Sequence, residues 1–597
     1  MKDIHAVLRD TWGHADFRPL QERVIRSVLE GRDTLALLPT GGGKSLCFQV
    51  PALAMERMCL VVSPLIALMK DQVERLREKG ILAVSITSGM SRTEVDHALE
   101  SCAAGKRAFL YVSPERLQTD LFRARLAHLP IGLIAVDEAH CISQWGYDFR
   151  PSYLRITTLR ETFPQVPIVA LTATATPEVA GDIMEKLAFR APNLLRGDFA
   201  RPELTWWVTH GEDRSGRLLR LAQRTTGTAI VYVRERKSTV RVADLLRHHG
   251  FTAAPYHAGL DHAERDRVQK AWSSDAVRFV VATTAFGMGI DKADVRLVVH
   301  WTPPQDIESY YQEAGRAGRD RLPALAVLLN APGDAERLLE KAEASFPPLA
   351  DVRRVYQAFA DLHRIALGSG AHEAYRLDLQ ELARRTDLPV VQVANAMKAL
   401  ELDGLVALSE GVHDPSRAII TAPHRTVYDI RVRDQRLGPL VEVLLRMHGG
   451  LFEEPVRIDE ERAAQHLKWS VDRVRKALHE LHRMGVLHYR ERTDDPLVTL
   501  LCPRLDATRI LLSPEALADR LSRARTRART MCDYLNLGAG CRERHLRTYF
   551  GDADGADCGR CDLCRARATA TAPDGSMVSE PLAARWAADA PPGEGSS

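Results

Sequence analysis

Residues 34–45 read TLALLPTGGGKS, an apolar run that breaks into a glycine turn and then a lysine and a hydroxyl. No other stretch narrows the possible folds so far. A strand over 34–38 must end where the backbone can curl, and a helix must begin where its free N–H groups meet an anion. Gly41, Gly42 and Gly43 after Thr40 permit the curl, Lys44 supplies a point charge, and the Ser45 hydroxyl can ligate magnesium. The strict pattern has glycine where Leu38 stands, so the flanking strand and helix carry the reading. It predicts a phosphate cradle at the carboxyl end of a parallel sheet, where open α/β folds place their ligands.

Residues 131–153, IGLIAVDEAHCISQWGYDFRPSY, supply what such a cradle needs. The run Ile131–Val136 is short, partly β-branched and bounded by charge, the pattern of a buried parallel strand. Asp137 and Glu138 end it, and two adjacent carboxylates suit a magnesium ion and a water to be oriented and deprotonated. Trp145, Tyr147, Phe149 and Tyr153 follow, with Arg150 among them, as fits stacking on unpaired bases and contact with phosphate. Alone, the acid pair is an ordinary strand end and the aromatics a loop tucked onto the core. With the cradle upstream, Trp145, Phe149 and Arg150 are expected to contact a nucleic-acid strand and couple it to hydrolysis.

Upstream, the FRPLQ pentapeptide offers the Gln21 amide, a donor beside an acceptor, to an adenine edge, with Phe17 and Arg18 flanking the ring. Alone it is equally a helix entry with Pro19 near N1. Strands and helices alternate through 59–76, 107–117 and 168–176, which predicts a doubly wound lobe. A second α/β lobe begins near Gly227 and has no phosphate loop. Its SYYQEAGRAGRD (309–320) puts Gln312, Arg316 and Arg319 at helical spacing, the arginines three apart on one face. They read either as a solvated basic helix end or as guanidinium groups aimed across an interlobe cleft at a γ-phosphate.

Beyond Pro332 the chain turns helix-rich. Two stretches each read helix, turn, helix, strand, with ELDGLV (401–406) loosely matched by HRMGVL (482–487). These predict two winged-helix units, modules that dock on duplex DNA or serve as protein scaffolds. Cys541, Cys558, Cys561 and Cys564 then give two CxxC steps, a closed tetrahedral zinc site with no place for a catalytic water. Arg523, Arg525, Arg527, Arg529, Arg542, Arg544 and Arg547 surround it, as phosphate contacts or as a solvated helix face.

The composition frames these readings. A chain of 597 residues needs several domains, and a net charge of +3 leaves nucleic-acid binding to local patches. The N-terminus is charged throughout, no run nears the roughly 18 apolar residues of a membrane span, and the ten cysteines cluster at one site only. The expectation is a reducing cytoplasmic setting, without a membrane.

FRPLQ, TGGGKS, DEAHCISQWGYDFRPSY, TATAT, FGMGID and QEAGRAGRD, in this order over about 12–330, resemble the helicase core of RecQ-family DNA helicases. The resemblance implies ATP-driven 3′-to-5′ unwinding of duplex DNA. It also implies that Phe17, Arg18 and Gln21 contact adenine, that Thr40, Gly41, Gly43, Lys44 and Ser45 hold phosphate and magnesium, and that Asp137 and Glu138 activate metal and water. Arg316 and Arg319 take finger and sensing positions, and 144–153 is similar to the family's aromatic-rich loop. The CRxxxLxxYFG…CGxCDxC run is similar to the RecQ zinc-binding segment. Here, however, zinc follows the winged-helix units, whereas the family's familiar order puts it directly after the core.

The expected architecture is two tandem RecA-like parallel-sheet lobes (1–205 and 206–335) and winged-helix-like α+β units (350–425 and 430–510). A zinc segment (515–566) and a disordered tail (567–597) follow. The expected activity is a monomeric DNA helicase of repair or recombination using ATP, Mg2+ and structural Zn2+. It acts on single-stranded and forked duplex DNA near the nucleoid, with single-strand-binding and recombination proteins as partners. The competing readings are an ATP-gated DNA-binding or annealing protein without unwinding, and an RNA-remodelling ATPase.

Overall fold

Thr34–Leu37 (β1), Met58–Val62 (β2), Ala83–Ile86 (β3), Phe109–Val112 (β4), Ile131–Val136 (β5), Ile168–Thr172 (β6) and Leu194–Arg196 (β7) form one sheet. Its order is β3-β4-β2-β5-β6-β1-β7, with every pairing parallel. The computed structural model describes residues 2–571 apart from 65, 88, 89, 91, 106, 261, 285, 287–291, 372, 410–415, 454, 492–495, 511–513, 553 and 554. β1, β2, β4 and β6 are buried along their whole length, because a sheet covered on both faces has no polar side to alternate. Only β6 separates β1 from β5, so the glycine turn after one and the acid pair after the other open on the same edge.

Leu204–His210 (β8), Thr228–Tyr232 (β9), Ala253–Tyr256 (β10), Phe279–Ala282 (β11), Val295–His300 (β12) and Ala324–Asn330 (β13) build a second parallel sheet, ordered β10-β11-β9-β12-β13-β8. Its first strand, β8, falls at the expected 205/206 division and precedes the strand expected near Gly227. Its LTWWVTH alternates buried with less buried residues, an edge-strand pattern that weakens the strand signal. From 287 onward, the FGMGID stretch lies outside the described residues.

The winged-helix strands are Ala374–Arg376 (β14), Val406–Ser409 (β15), Arg417–Ile420 (β16), Val456–Arg457 (β17), Leu487–Arg490 (β18) and Leu497–Leu500 (β19). Both units share one local design. Asp378 and Asp459 each cap a short helix by accepting backbone N–H bonds, and Asp387 and Lys468 end those helices in the left-handed region, each with φ 54°. The longer helices Val390–Leu402 and Val471–Arg483 follow, then a turn at Gly404 or Gly485 into β15 or β18.

The third strands, however, are exchanged. β15 pairs with β19 and β18 with β16, so neither unit closes on the strand that follows it. Val498 and Leu500 pack with Leu382 and Val406, whereas Ala418 and Ile420 pack with Leu487 and Tyr489. Consecutive units over 350–425 and 430–510 are therefore not what forms. A contiguous unit of about 416–491 is held inside the hairpin of another, made from 349–409 and 497–510. Either third strand offers a similar apolar face, so alternation alone could not choose between the pairings.

The zinc segment returns to the lobes. Helix Pro514–Leu535 packs along helix Asp334–Ala344, with Cys532 Sγ donating to Ala335 O at 3.6 Å and Arg525 paired to Glu343 at 3.2 Å. Phe550 stacks on Phe199 (5.0 Å, 9°), and Arg560 donates to Leu204 O and Arg201 O at 3.1 and 2.9 Å. The zinc segment thus adjoins the core in space despite its place in the chain, and the winged-helix units are an excursion between two packed helices. Helix Asp562–Thr571 occupies the first residues assigned to the tail, as its alanines favour, and residues from 572 on lie outside the described ones.

Candidate active site

The glycine turn is built as its spacing requires. Gly41 and Gly43 take φ 79° and 73°, and a Cβ on Gly43 would stand 2.3 Å from Gln21 Nε2. Helix Leu46–Met55 starts immediately after Ser45. The Gln21 amide is already engaged here. Its Nε2 donates to Gly42 O and Gly43 O at 3.1 and 3.0 Å, its Oε1 accepts from Arg18 N at 2.8 Å, and Arg18 Nη1 donates to Gly41 O. The pentapeptide therefore braces the turn in this state rather than presenting a free amide to a base. Arg18 and Gln21 still line the cavity above the turn, while Phe17 lies edge-on to His5 at 5.0 Å.

Lys44 Nζ pairs with Glu138 Oε1 at 3.3 Å across the gap between β1 and β5. Glu138 takes φ 46°, a strained setting for a side chain of its kind, and its N–H donates to Asp137 Oδ1 at 3.0 Å. Burial and then the Glu138 charge push Asp137 up to about 6. Burial also presses Glu138 upward, but the Lys44 ammonium and His140 outweigh it and the net shift is down. Glu138 thus keeps its negative charge beside the lysine. Glu138 Oε2 is buried without a hydrogen-bond partner and Asp137 is buried beside the Ser45 hydroxyl's turn. An all-oxygen set at the end of a phosphate cradle fits Mg2+ with a nucleotide.

Arg316 and Arg319 reach this cavity of about 600 Å³ from the second lobe, together with Gln312. Arg316 Nε is buried without a hydrogen-bond partner, and Arg319 Cγ comes within 3.1 Å of the Cβ position of Gly41. Thr40 Oγ1 donates to Gly315 O at 3.1 Å, so its hydroxyl ties the turn to the other lobe. Arg201 joins the same seam, donating to Thr40 Oγ1 and Gly315 O at 3.2 Å each. Nothing in its FARPEL context marks Arg201 in the sequence. Only the fold brings it to the seam.

The aromatic loop is less open than its composition suggests. Phe149 is 7% exposed, Tyr153 is buried with its hydroxyl donating to Asp137 O at 3.0 Å, and Tyr147 stacks on His140 at 4.6 Å. Arg150 is held by Asp148 at 3.1 Å and donates to Pro64 O at 3.2 Å. Phe149 and Arg150 therefore fix the loop to the core in this state. Trp145 alone is substantially exposed, at 44%. Tyr147 Oη donates to Gln312 Oε1 at 2.9 Å, a link to the second lobe that spacing could not reveal.

Neighbouring elements hold the loop from outside. Arg523 and Arg527 of helix Pro514–Leu535 donate to the backbone oxygens of Gln144 (3.1 Å) and of Trp145 and Gly146 (3.4 Å each). Arg542, by contrast, is buried between Asp562 and Tyr534 O, so it is neither a phosphate contact nor part of a solvated face. Helix Val390–Leu402 docks by Asn395 on Ala344 O (2.8 Å) and by Leu402 O on Arg520 (2.9 Å), which packs this winged-helix element against helices Asp334–Ala344 and Pro514–Leu535.

The Sγ atoms of Cys541, Cys558, Cys561 and Cys564 lie within 4.8 Å of one another. Backbone N–H groups of Arg544, Cys558, Cys561 and Cys564 point at three of these sulfurs at 3.2–3.4 Å, as suits thiolates. An all-sulfur tetrahedral set fits Zn2+ and leaves no open position.

Four family models match the chain: DEAD/DEAH box helicase over 18–183, Helicase conserved C-terminal domain over 213–321, RecQ helicase winged-helix domain (Bacteroidota) over 419–491 and RecQ zinc-binding over 506–565. The winged-helix match falls on the contiguous inner unit. Among similar proteins is "ATP-dependent DNA helicase RecQ" of Pasteurella multocida, 45% identical over 343 residues, which are 57% of this chain and 54% of that protein. The protein of the same name in Bacillus subtilis is 43% identical over 59% of this chain and 61% of its own. "Probable ATP-dependent DNA helicase RecS" of Bacillus subtilis is 38% identical over 60% of this chain and 73% of its own. The chain spans about half the length of the first of these relatives.

Proposed function

The chain belongs to the RecQ family of ATP-dependent DNA helicases, and on that premise we propose that it hydrolyses ATP with Mg2+ to unwind duplex DNA in the 3′-to-5′ direction. The observation that carries this reading is a single cavity where Lys44, Asp137 and Glu138 of one lobe meet Gln312, Arg316 and Arg319 of the other. Single strands and forks are the proposed substrates, and the cytoplasm is the proposed setting. Among the described residues no helix is long and apolar enough to cross a membrane.

Each side chain has a definable task. The Gly41–Gly43 turn offers N–H groups to phosphate oxygens, and Lys44 moves from Glu138 to the β- and γ-phosphates. Ser45 and Asp137 would hold Mg2+, which supplies charge neutralisation between those phosphates when bound. Glu138, released by Lys44, orients water and takes its proton. Arg316, whose Nε has no hydrogen-bond partner, turns its guanidinium to the γ-phosphoryl group as the lobes close. The strand enters through Trp145, and Tyr147 carries a loop displacement to Gln312.

A forked duplex with a 3′ single-stranded tail tests this. Strand displacement should require ATP and Mg2+, and unpaired DNA should accelerate phosphate release. DNA-stimulated release without displacement would favour a gated DNA-binding or annealing protein. Stimulation by RNA but not by DNA would favour an RNA remodeller.

A further inference from the structure

We propose that Arg523 stands in for a nucleic-acid base on Trp145 and sets the threshold at which a single strand releases the aromatic loop. The proposal rests on the DNA-stimulated reading above and names Arg523 as a positioning residue within it. The Arg523 guanidinium lies 4.3 Å from the Trp145 ring centroid, the place a stacked base would take. Trp145 is the aromatic of this loop that keeps a large open surface, so a base stacking on it competes with this arginine for the covered face.

Displacement would undo more than one contact. The same guanidinium holds Gln144 O at 3.1 Å, and Arg527, four residues along the helix, holds the next two carbonyls. Gly146 lies close against His140, where an added Cβ would stand 2.7 Å from His140 O, so a shift of this backbone presses on that residue. Movement of 144–146 is therefore passed to Tyr147, which touches both His140 beside Glu138 and Gln312 beside the arginine pair. A helix of the zinc element thus restrains the loop until a strand replaces its arginine.

This assignment makes a prediction of unusual sign. If Arg523 were a phosphate contact, removing it would weaken strand binding and flatten its salt dependence by about 0.7 in log–log slope. If it competes with a base, removal tightens binding. The test is equilibrium binding of a fluorescent oligothymidylate to the full chain without nucleotide, over a salt series. It compares wild type, Arg523→Lys, which keeps the charge and loses the planar stack, Arg523→Ala, Trp145→Ala and the Trp145→Ala/Arg523→Ala double variant. The expected result is about two- to fivefold tighter binding for Arg523→Lys, with unchanged salt slope, and a matching fall in the oligonucleotide concentration that half-saturates ATP hydrolysis. Arg523→Ala should tighten binding too, and the gain should vanish once Trp145 is gone. Weaker or unchanged binding in Arg523→Lys, or a gain that survives without Trp145, overturns the proposal and leaves the helicase reading standing. Absence of strand binding by the wild type overturns both.

Discussion

Tyr147 Oη donates a 2.9 Å hydrogen bond to Gln312 Oε1, joining the loop after β5 to the helix that leads into Arg316 and Arg319. The bond spans the two lobes, so its strength depends on how they are set. Tyr147→Phe keeps the ring against His140 and removes the link. A hydrogen bond is worth about 0.5–1.5 kcal/mol net. The ratio of strand-stimulated to basal hydrolysis should therefore fall about two- to tenfold in steady-state phosphate release. An unchanged ratio would remove Tyr147 from the coupling path.

Lys44 and Glu138 neutralise each other here, so their variants should part company. Lys44→Ala strips the cradle of its cation and should abolish both nucleotide binding and turnover. Glu138→Gln frees Lys44 while removing the group that deprotonates water. Turnover should drop by roughly 10²–10⁴, the usual worth of a general base, while a fluorescent nucleotide binds at least as tightly as to wild type. Loss of nucleotide affinity in Glu138→Gln would assign that carboxylate to binding instead.

Much of this was legible from the chain because cradle, acid pair and arginine pair are each local patterns tied to one strand end or one helix. TGGGKS and DEAH needed only β1 and β5 to share an edge, which parallel alternation nearly guarantees. Contacts made by unrelated segments were not legible. Arg201 at Thr40, Arg523 on Trp145 and Tyr147 on Gln312 join residues 161, 378 and 165 positions apart, and no periodicity encodes such meetings. The exchange of third strands escaped for another reason, since β16 and β19 carry similar apolar faces and alternation does not say which hairpin each completes.

That exchange can be trapped. Ala407 faces Thr499 in the β15–β19 register, and opposed residues of antiparallel strands lie at about the Cα spacing a disulfide needs. In the Ala407→Cys/Thr499→Cys variant, mild oxidation should yield a crosslinked peptide pair detectable by mass spectrometry. Consecutive units would leave these positions far apart and give no such product.

Zinc should act on the helicase core as well as on its own segment. Glu543, two residues from Cys541, accepts from Arg201 N at 2.7 Å, and Asp562, next to Cys561, accepts from Val208 N at 3.4 Å. Structural zinc contributes on the order of 10 kcal/mol to folding in small zinc peptides. Chelation should therefore lower the first melting transition and release one zinc per chain by metal analysis. An unchanged melt in zinc-free protein would show the four thiols to be dispensable.

Glu308 gives the fold a pH dependence of its own. It is buried on the helix leading to the arginine pair, with Tyr549 of the zinc segment donating to Oε1 at 2.7 Å and Oε2 unpartnered. Burial, then the charge of Asp306, pushes its carboxyl up to about 7, against the smaller opposing effects of Tyr549 and Arg527. A carboxyl with a higher pKa folded than unfolded binds more protons in the native state between those two values. Stability is then greatest at acid pH, falls as pH rises toward 7, and stays reduced above it. Glu308→Gln keeps a neutral group of the same shape at every pH. At pH 8 it should melt higher than wild type by about 2–4 °C per kcal/mol recovered, and the gain should disappear near pH 5, where Glu308 is already protonated. A pH-independent difference between the two proteins would mean that packing, not the buried charge, sets the effect.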